Sequence, residues 1–246
     1  MTNDIVLSFS RTGSQALVSA FSAVSPHPVT HLHFLGMASL EQRRAAFEAR
    51  GEPLPPMLRA AFATRALMTD PAQRFRIVSC IRDPIARQVS HLFKFPEIAM
   101  ADGVDVLSEP DRAADWMVEN FFRRSPLTWF DDHICDPFGI DLFATPFDRT
   151  RRDLRFEREG LKLVVVRMED PADLRERALG WLTDRPRVEI VHVDPSVGAD
   201  YAWAFKAFRD SFVAPPSLID RIYGSRMMRH FYDDEERRAM AARWSP

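Results

Sequence analysis

The segment KLVVVRM, Lys162–Met168, constrains the fold of this chain more than any other stretch. Between Lys162 and Arg167 it is a continuous run of apolar, mostly β-branched residues without polar alternation, which is typical of a strand buried on both faces. Strands of this kind belong to parallel sheets, because the crossover helices of such sheets cover both faces. The segment therefore predicts a central strand of an α/β protein.

Strand and helix patterns alternate along the rest of the chain. Further strands are predicted at Ile5–Phe9, Val29–Leu35, Arg74–Ile81 and Val188–Val193. Helices are predicted at Ser14–Ser25, Leu40–Arg50, Pro56–Thr69, Pro84–Phe95, Arg112–Arg123, Trp129–Cys135, Pro171–Thr183, Tyr201–Phe212 and Leu218–Trp244, the last with a break near Gly224. This alternation predicts a mainly parallel sheet flanked by helices. Because no repeat, linker or low-complexity segment interrupts it, we expect a single domain over residues 1–246.

Composition narrows the class of partner. The 246 residues carry a formal net charge of -2, which gives no general reason to expect nucleic acid or an anionic membrane. Most of the 33 basic residues are arginine, whose planar fork suits oxyanions. Two cysteines without metal spacing, no signal-peptide pattern and no apolar run of about 20 residues predict a cytoplasmic protein without a membrane span. The oligomeric state stays open.

The stretch between the first strand and its helix is RTGSQ, Arg11–Gln15. It has the order of parts of a phosphate-binding loop, but it lacks the Gly-Lys-Ser/Thr ending with which ATP and GTP loops hold outer phosphates and magnesium. Backbone N–H groups and the helix dipole still favour an anion there. Arg11 adds a guanidinium fork and Ser14 a hydroxyl. The turn therefore predicts phosphate binding; the alternative is a plain turn in which Ser14 caps the helix.

A second arginine follows the third strand. The segment RDPIARQVS places Arg82 at the strand end and Ser90 eight residues later, about two turns into the next helix. Both side chains are predicted to converge on one phosphate at the carboxyl edge of the sheet, where open α/β sheets bind ligands. The alternative is an arginine at a helix end and a surface serine.

A histidine pair is the first candidate for a catalytic base. His31 and His33 lie two apart in the strand VTHLHFL and so share a face. Either can accept a proton near neutral pH, and position nearer the carboxyl end favours His33. The alternatives are hydrogen-bonded core histidines, or a carboxylate base from the cluster of Asp131, Asp132 and His133. Since no third ligand has recognisable spacing, no metal site is predicted.

The two anion motifs together resemble the sulfotransferases that use 3′-phosphoadenosine 5′-phosphosulfate. In that family an Arg/Lys–Ser/Thr–Gly–Ser/Thr–Ser/Thr turn binds the 5′-phosphosulfate, and an arginine with a serine eight residues later binds the 3′-phosphate. The matching residues are Arg11, Thr12, Gly13 and Ser14 for the first motif and Arg82 with Ser90 for the second. Gln15 departs from the hydroxyl residue usual there, although its amide can donate to a phosphate oxygen.

The likeness extends along most of the chain. RTGSQ, HLHFLG, RDPIARQVS, WFDDHICDPFGIDLFATPFD and IYGSRMMRHFYDDEE resemble sulfotransferase-like bacterial proteins named for capsular polysaccharide synthesis. The resemblance implies a P-loop-like three-layer fold and metal-independent sulfuryl transfer to a hydroxyl or amine of a carbohydrate or small-molecule acceptor. It implies a catalytic role for Arg11 and 3′-phosphate binding by Arg226 and Arg229. The Thr-His-Leu segment of cytosolic sulfotransferases would favour His31 as the base.

Two other functions stay open. A catalytically degenerate sulfotransferase-like protein would bind a nucleotide or a glycan without turnover, and the departure at Gln15 is compatible with it. An ATP-dependent kinase would require magnesium, and the missing Gly-Lys-Ser/Thr argues against it. The residues do not identify the acceptor.

Overall fold

The computed structural model describes residues 1–122, 126–191 and 200–245. The chain divides into two compact units, each made of two chain segments. The sheet unit comprises Met1–Ile81 and Trp129–His192, and the helical unit comprises Arg82–Thr128 and Val193–Pro246. The single domain expected over residues 1–246 stays a prediction.

All strands of the described residues lie in the sheet unit. They are β1 Thr2–Leu7, β2 Val29–Leu32, β3 Arg74–Ile81, β4 Asp153–Arg158 and β5 Leu161–Arg167. The five form one sheet in the order β2-β1-β3-β5-β4. The first four strands in this order are parallel, and β4 pairs antiparallel with β5. The predicted α/β class, with a mainly parallel sheet flanked by helices, is confirmed.

The helices follow the predicted order closely. They are α1 Ser14–Val24, α2 Met37–Glu48, α3 Pro56–Leu67, α4 Pro84–Lys94, α5 Glu97–Met100, α6 Pro110–Glu119, α7 Asp136–Phe138, α8 Ala172–Leu182, α9 Ala202–Ser211, α10 Pro216–Tyr223, α11 Arg226–Phe231 and α12 Asp234–Trp244. A π-helical turn, Asp131–Cys135, leads into α7, and a 3₁₀ turn covers Leu142–Ala144. α1, α2, α3, α7 and α8 belong to the sheet unit and the others to the helical unit. Among the described residues, no helix has the length and apolar character needed to cross a bilayer.

Burial on both faces explains the apolar run in β5. Leu163 to Val166 are each at most 1% exposed, as the pattern predicts. On one face, Val164 and Val166 share a core with Val6, Val78 and apolar side chains of α1 and α8. Burying one such side chain contributes about 1.5–3 kcal/mol. This core therefore holds the first turn of α1 at the carboxyl edge of the sheet.

The strand predicted at Val188–Val193 is wrong for the residues described. Residues 188–191 have no regular structure, and the last two residues of that prediction, like Arg123 in its predicted helix, lie outside the described residues. The N–H of Val188 donates to the Glu176 carbonyl (3.1 Å), and the N–H of Ile190 donates to the Glu176 carboxylate (3.0 Å). Helix α8 thus satisfies the backbone groups that a neighbouring strand would otherwise have satisfied. The apolar alternation arises from burial beside α8.

The edge strand β4 is absent from the sequence prediction. Its residues, DLRFER, carry four charges in six positions and contain only two apolar residues, Leu154 and Phe156, which is too short an alternation to stand out in the sequence. Only pairing with the buried strand β5 makes this segment extended, because β5 supplies the hydrogen-bond partners. Charged side chains on an edge strand also discourage pairing with another chain.

Candidate functional site

The turn between β1 and α1 has a tight backbone. Arg11 has a φ of 70° and Gly13 a φ of 78°, both in the left-handed region. The Thr12 hydroxyl is buried and donates to the Phe9 carbonyl (2.8 Å), which closes the turn internally. No described side chain caps α1, whose N-cap residue is Gly13, so the alternative in which Ser14 caps the helix is wrong. The N–H groups and positive dipole end of α1 therefore remain available to a ligand.

Gly13 allows another strand end to approach this turn. A Cβ at Gly13 would lie 2.4 Å from the Sδ atom of Met168. Met168 directly follows β5, and its N–H donates to the carbonyl of Ile81 at the end of β3 (2.8 Å). The carboxyl ends of β1, β3 and β5 consequently meet beside the turn, at the edge where parallel sheets bind ligands.

Ser14 links the turn to the first predicted histidine. It is the first residue of α1, it is buried, and its hydroxyl oxygen lies 3.0 Å from Nε2 of His31. His31 lies in β2 opposite Val6 of β1. The structure thus brings the predicted phosphate-binding hydroxyl and a predicted base into direct contact.

His33 is held from two sides. Its Nδ1–H donates to the Ser8 carbonyl (2.8 Å), and Nε1–H of Trp129 donates to the backbone carbonyl of His33 (2.9 Å). Because a carbonyl can only accept, Nδ1 carries the proton and Nε2 has the free lone pair. Trp129 in turn stacks on Phe9, with ring centroids 6.0 Å apart. The His33 ring is therefore oriented as a proton acceptor through Nε2.

Both histidines are neutral at physiological pH. Burial, and then the charge of His33, lower the pKa of His31 from 6.5 to about 4. Burial and the positive charge of Arg43 lower the pKa of His33, and its hydrogen bond to Ser8 acts in the opposite direction. The two rings lie 4.6 Å apart and nearly perpendicular, which confirms that they share a face. A neutral imidazole is the form that acts as a general base.

Ser8 was missed in the sequence analysis. It is fully buried; its N–H donates to the Leu32 carbonyl (3.1 Å), and its hydroxyl accepts from the N–H of Cys80 (2.8 Å). Together with its carbonyl bond to His33, Ser8 joins the chain at β1, β2 and β3 just before the turn. The only signal in the sequence was a hydroxyl residue ending an apolar strand.

The cluster that includes His133 is a structural junction. His133 is buried, and its Nδ1 accepts from the N–H groups of Leu35 (3.4 Å) and Gly36 (3.1 Å) at the start of α2. Burial lowers its pKa to about 4 against the opposing charge of Asp132. A Cβ at Gly36 would lie 2.3 Å from the Asp132 carbonyl oxygen, so glycine is required there. The Trp129 ring packs on His133, with centroids 5.5 Å apart, which places this junction behind His33.

The predicted 3′-phosphate residues belong to the helical unit. Ser90, inside α4, is only 6% exposed, so the alternative of a surface serine is wrong. Arg82 is half-buried and directly precedes Asp83, whose carboxylate accepts from the N–H of Ile85 (3.0 Å) at the start of α4. The predicted convergence of Arg82 and Ser90 with the β1–α1 turn stays a prediction.

Asp83 also ties the end of the chain to α4. The Tyr223 hydroxyl donates to one of its carboxylate oxygens (2.9 Å), and Nε1–H of Trp244 donates to the other (2.8 Å). Burial raises the pKa of Asp83, and these three hydrogen bonds act in the opposite direction. The carboxylate therefore connects α10 and α12 with the N-terminus of α4.

The other predicted donor-binding residues are exposed. Arg226 and Arg229 both lie on α11, and Nη1 of Arg229 donates to the Gly224 carbonyl (2.5 Å). Gln15 is exposed in the first turn of α1, where its amide is available to a ligand. Approach of Arg226 and Arg229 to a 3′-phosphate stays a prediction.

Within residues 1–122, 126–191 and 200–245, no group of three or more His, Cys, Asp or Glu side chains is arranged to hold a metal ion. Comparison of the chain with protein-family models, with curated proteins and with solved structures finds no match. The functional interpretation therefore rests on the residues of the site.

Proposed function

We propose that the protein is a sulfotransferase that moves a sulfuryl group from 3′-phosphoadenosine 5′-phosphosulfate to a hydroxyl or amine of a carbohydrate or small-molecule acceptor. The contact between Ser14 and His31 supports this most directly, because it puts an uncapped anion-binding turn beside two neutral imidazoles. Sulfuryl transfer needs both parts, one for the leaving phosphate and one for the acceptor proton. A P-loop-like three-layer arrangement and a cytoplasmic location are part of the same proposal.

The turn would bind the 5′-phosphosulfate. Arg11, Ser14 and the first N–H groups of α1 donate to its oxygens, Thr12 and Gly13 shape the backbone, and the Gln15 amide is within the same first turn. When the acceptor attacks sulfur, the bond from sulfur to the bridging oxygen breaks and negative charge develops on that oxygen. Fixed donors at such a position are worth about 3–4 kcal/mol each when removed.

His33 is the preferred base. As the new bond to sulfur forms, Nε2 of His33 takes the proton of the acceptor, and adenosine 3′,5′-bisphosphate is the other product. His31 is the alternative that the resemblance favours, but its Nε2 already contacts the Ser14 hydroxyl. In this proposal His31 positions Ser14, and Nε2 of His33 is the atom left for the acceptor.

Arg82 and Ser90 would hold the 3′-phosphate, with Arg226 and Arg229 over it. Calorimetric titration with adenosine 3′,5′-bisphosphate, without magnesium, tests this. We expect Arg82→Ala to bind about 10- to 100-fold more weakly than the wild type, the effect of one charge-assisted hydrogen bond. Arg112→Ala is the control, because Arg112 is exposed in the same unit and pairs with Glu109. No binding by the wild type would reject the proposal and make ATP with magnesium the next ligand.

A turnover assay on the same protein distinguishes an active sulfotransferase from a catalytically degenerate protein that only binds the nucleotide. With an acceptor found by screening, His33→Gln should lower turnover by about 10²- to 10⁴-fold and keep its affinity for the bisphosphate. Undiminished turnover would transfer the role of base to His31. Bisphosphate binding without turnover on carbohydrate, lipid and small-molecule acceptors would favour the degenerate, binding function.

A further inference from the structure

Helix α8 carries an arginine on its core-facing side. Arg175 is 8% exposed and precedes Ala178, Leu179 and Leu182 at the spacing of the helix face that packs on the sheet. Its Nε atom is buried without a hydrogen-bond partner. In the part of the chain that the structure describes, no carboxylate lies within ion-pair distance of it. A buried charge without a counter-charge costs free energy, so this side chain calls for an explanation.

Arg175 lies next to the β1–α1 turn. Its Nη1 is 3.8 Å from Sδ of Met168, the same sulfur that a Cβ at Gly13 would approach to 2.4 Å. A single thioether thus separates the guanidinium from the turn. The positive end of the α1 dipole faces this turn as well. Two positive groups in one place destabilise each other until an anion binds between them.

We propose that Arg175 is a binding residue of the anion site at the Arg11–Ser14 turn, where it donates to an oxygen of the 5′-phosphate. This inference rests on the proposed function, because it takes the turn to be the 5′ end of the donor site. Met168 fills the space between Arg175 and Gly13 when no anion is bound. Since methionine is flexible, its thioether can move aside at small cost.

The test compares Arg175→Met with Arg177→Met. Methionine keeps much of the length of arginine but removes its charge; Arg177 lies on the same helix, exposed, and pairs with Asp173 (2.8 Å). The ligands are adenosine 3′,5′-bisphosphate and adenosine 3′-monophosphate, which lacks the 5′-phosphate. We expect Arg175→Met to bind the bisphosphate about 10- to 100-fold more weakly. Its affinity for the monophosphate should equal that of the wild type, and Arg177→Met should match the wild type for both.

Several outcomes would overturn the inference while leaving the sulfotransferase proposal in place. They are unchanged bisphosphate affinity, an equal loss of affinity for both nucleotides, or an Arg175→Met protein that is less stable than the wild type without ligand. The last would indicate a packing role, whereas removal of an uncompensated buried charge should leave stability equal or higher.

Failure of the proposed function gives a different pattern. If the wild type binds neither nucleotide, inorganic sulfate alone decides the inference. Sulfate should then raise the unfolding temperature of the wild type and of Arg177→Met more than that of Arg175→Met, with chloride at equal ionic strength as the reference. Equal stabilisation of all three proteins by sulfate would overturn the role of Arg175.

Discussion

The starts of α1 and α4, which follow strands β1 and β3, differ in how their first backbone N–H groups find acceptors. At each of them the first N–H groups of a helix lack partners within the helix. At the start of α4 the Asp83 carboxylate accepts from the N–H of Ile85 and is itself held by Tyr223 and Trp244. At the start of α1 no described side chain caps the helix, and the adjacent hydroxyl of Ser14 contacts His31 instead.

The difference bears on where the phosphates of the proposed donor would bind. The first N–H groups of a helix need acceptors, and at α4 the carboxyl group of Asp83 already supplies one. A phosphate near α4 must therefore be held by side chains such as Arg82 and Ser90 rather than by the end of the helix. Among the described residues, no acidic side chain lies in the first turn of α1 and none caps it, which is compatible with the proposed 5′-phosphosulfate there.

The largest expected effect on stability concerns the start of α4, where Asp83 accepts hydrogen bonds from three donors. Asp83→Ala leaves the Ile85 N–H, the Tyr223 hydroxyl and the Trp244 indole N–H without their acceptor. Each buried unpaired donor costs about 1–3 kcal/mol, so we expect a loss of about 3–5 kcal/mol in the free energy of unfolding. Urea unfolding followed by tryptophan fluorescence measures it.

Two further variants sharpen this result. Asp83→Asn keeps one acceptor oxygen and should lose about half as much. Asp111→Ala, at an exposed position in the first turn of α6, should stay within about 0.5 kcal/mol of the wild type. A loss at Asp83→Ala no larger than that at Asp111→Ala would remove the basis of the comparison.

His133, at the start of α2, and Asp83, at the start of α4, should make the stability respond to pH with opposite signs. The pKa of His133 falls from 6.5 to about 4 on folding, so the stability linked to it is present above about pH 6.5 and is lost as pH falls towards 4. Burial raises the pKa of Asp83, so the stability linked to that carboxyl is greatest at low pH and is lost as pH rises through the raised pKa. The free energy of unfolding, measured from pH 7 to pH 4, should fall, and His133→Gln should reduce that fall by up to about 3 kcal/mol.

Matched variants separate the two contributions. His27→Gln is the control for the histidine, because His27 is exposed, and it should keep the fall seen in the wild type. Asp83→Asn should make the fall steeper, because it removes a group whose protonation stabilises the fold. Identical pH profiles for the wild type and His133→Gln would contradict the assignment.

The smallest expected effect on stability concerns the backbone of the turn between β1 and α1. Arg11 has a φ of 70°, a conformation that costs a residue with a side chain about 1 kcal/mol or more. Arg11→Gly should therefore be about 1 kcal/mol more stable than Arg11→Ala in urea unfolding. Both variants lose the guanidinium fork, so both should bind adenosine 3′,5′-bisphosphate more weakly than the wild type.

At a helical position, the glycine variant should be less stable than the alanine variant, which is the opposite of the order expected at Arg11. In the first turn of α6, Arg112→Gly should be less stable than Arg112→Ala by up to about 1 kcal/mol, because glycine is the poorer helix former. If Arg11→Gly and Arg11→Ala follow the same order as the Arg112 pair, the left-handed strain at the turn is not significant.

The sequence predicted the elements that carry their own pattern. The strand Arg74–Ile81 matches β3 residue for residue, and the helix expected at Ser14–Ser25 is α1 within one residue. The edge strand β4 could not be predicted, because its polar residues become extended only through pairing with β5. The strand predicted at Val188–Val193 is absent over residues 188–191 for the converse reason: its alternation is real, but Glu176 of α8 takes the hydrogen bonds of Val188 and Ile190.

The sequence by itself determined the α/β class, the composition of the RTGSQ turn and the shared face of His31 and His33. These depend on local preference and on the period of the side chains along a strand, which neighbouring residues already express. Only the tertiary structure decided that Ser14 contacts His31, that Ser8 orients His33 and that Arg175 lies against the turn. The contacts of Ser14 with His31, of Ser8 with His33 and of Gly13 with Met168 join residues 17, 25 and 155 positions apart, and their geometry arises when the strands pair and α8 packs on the sheet.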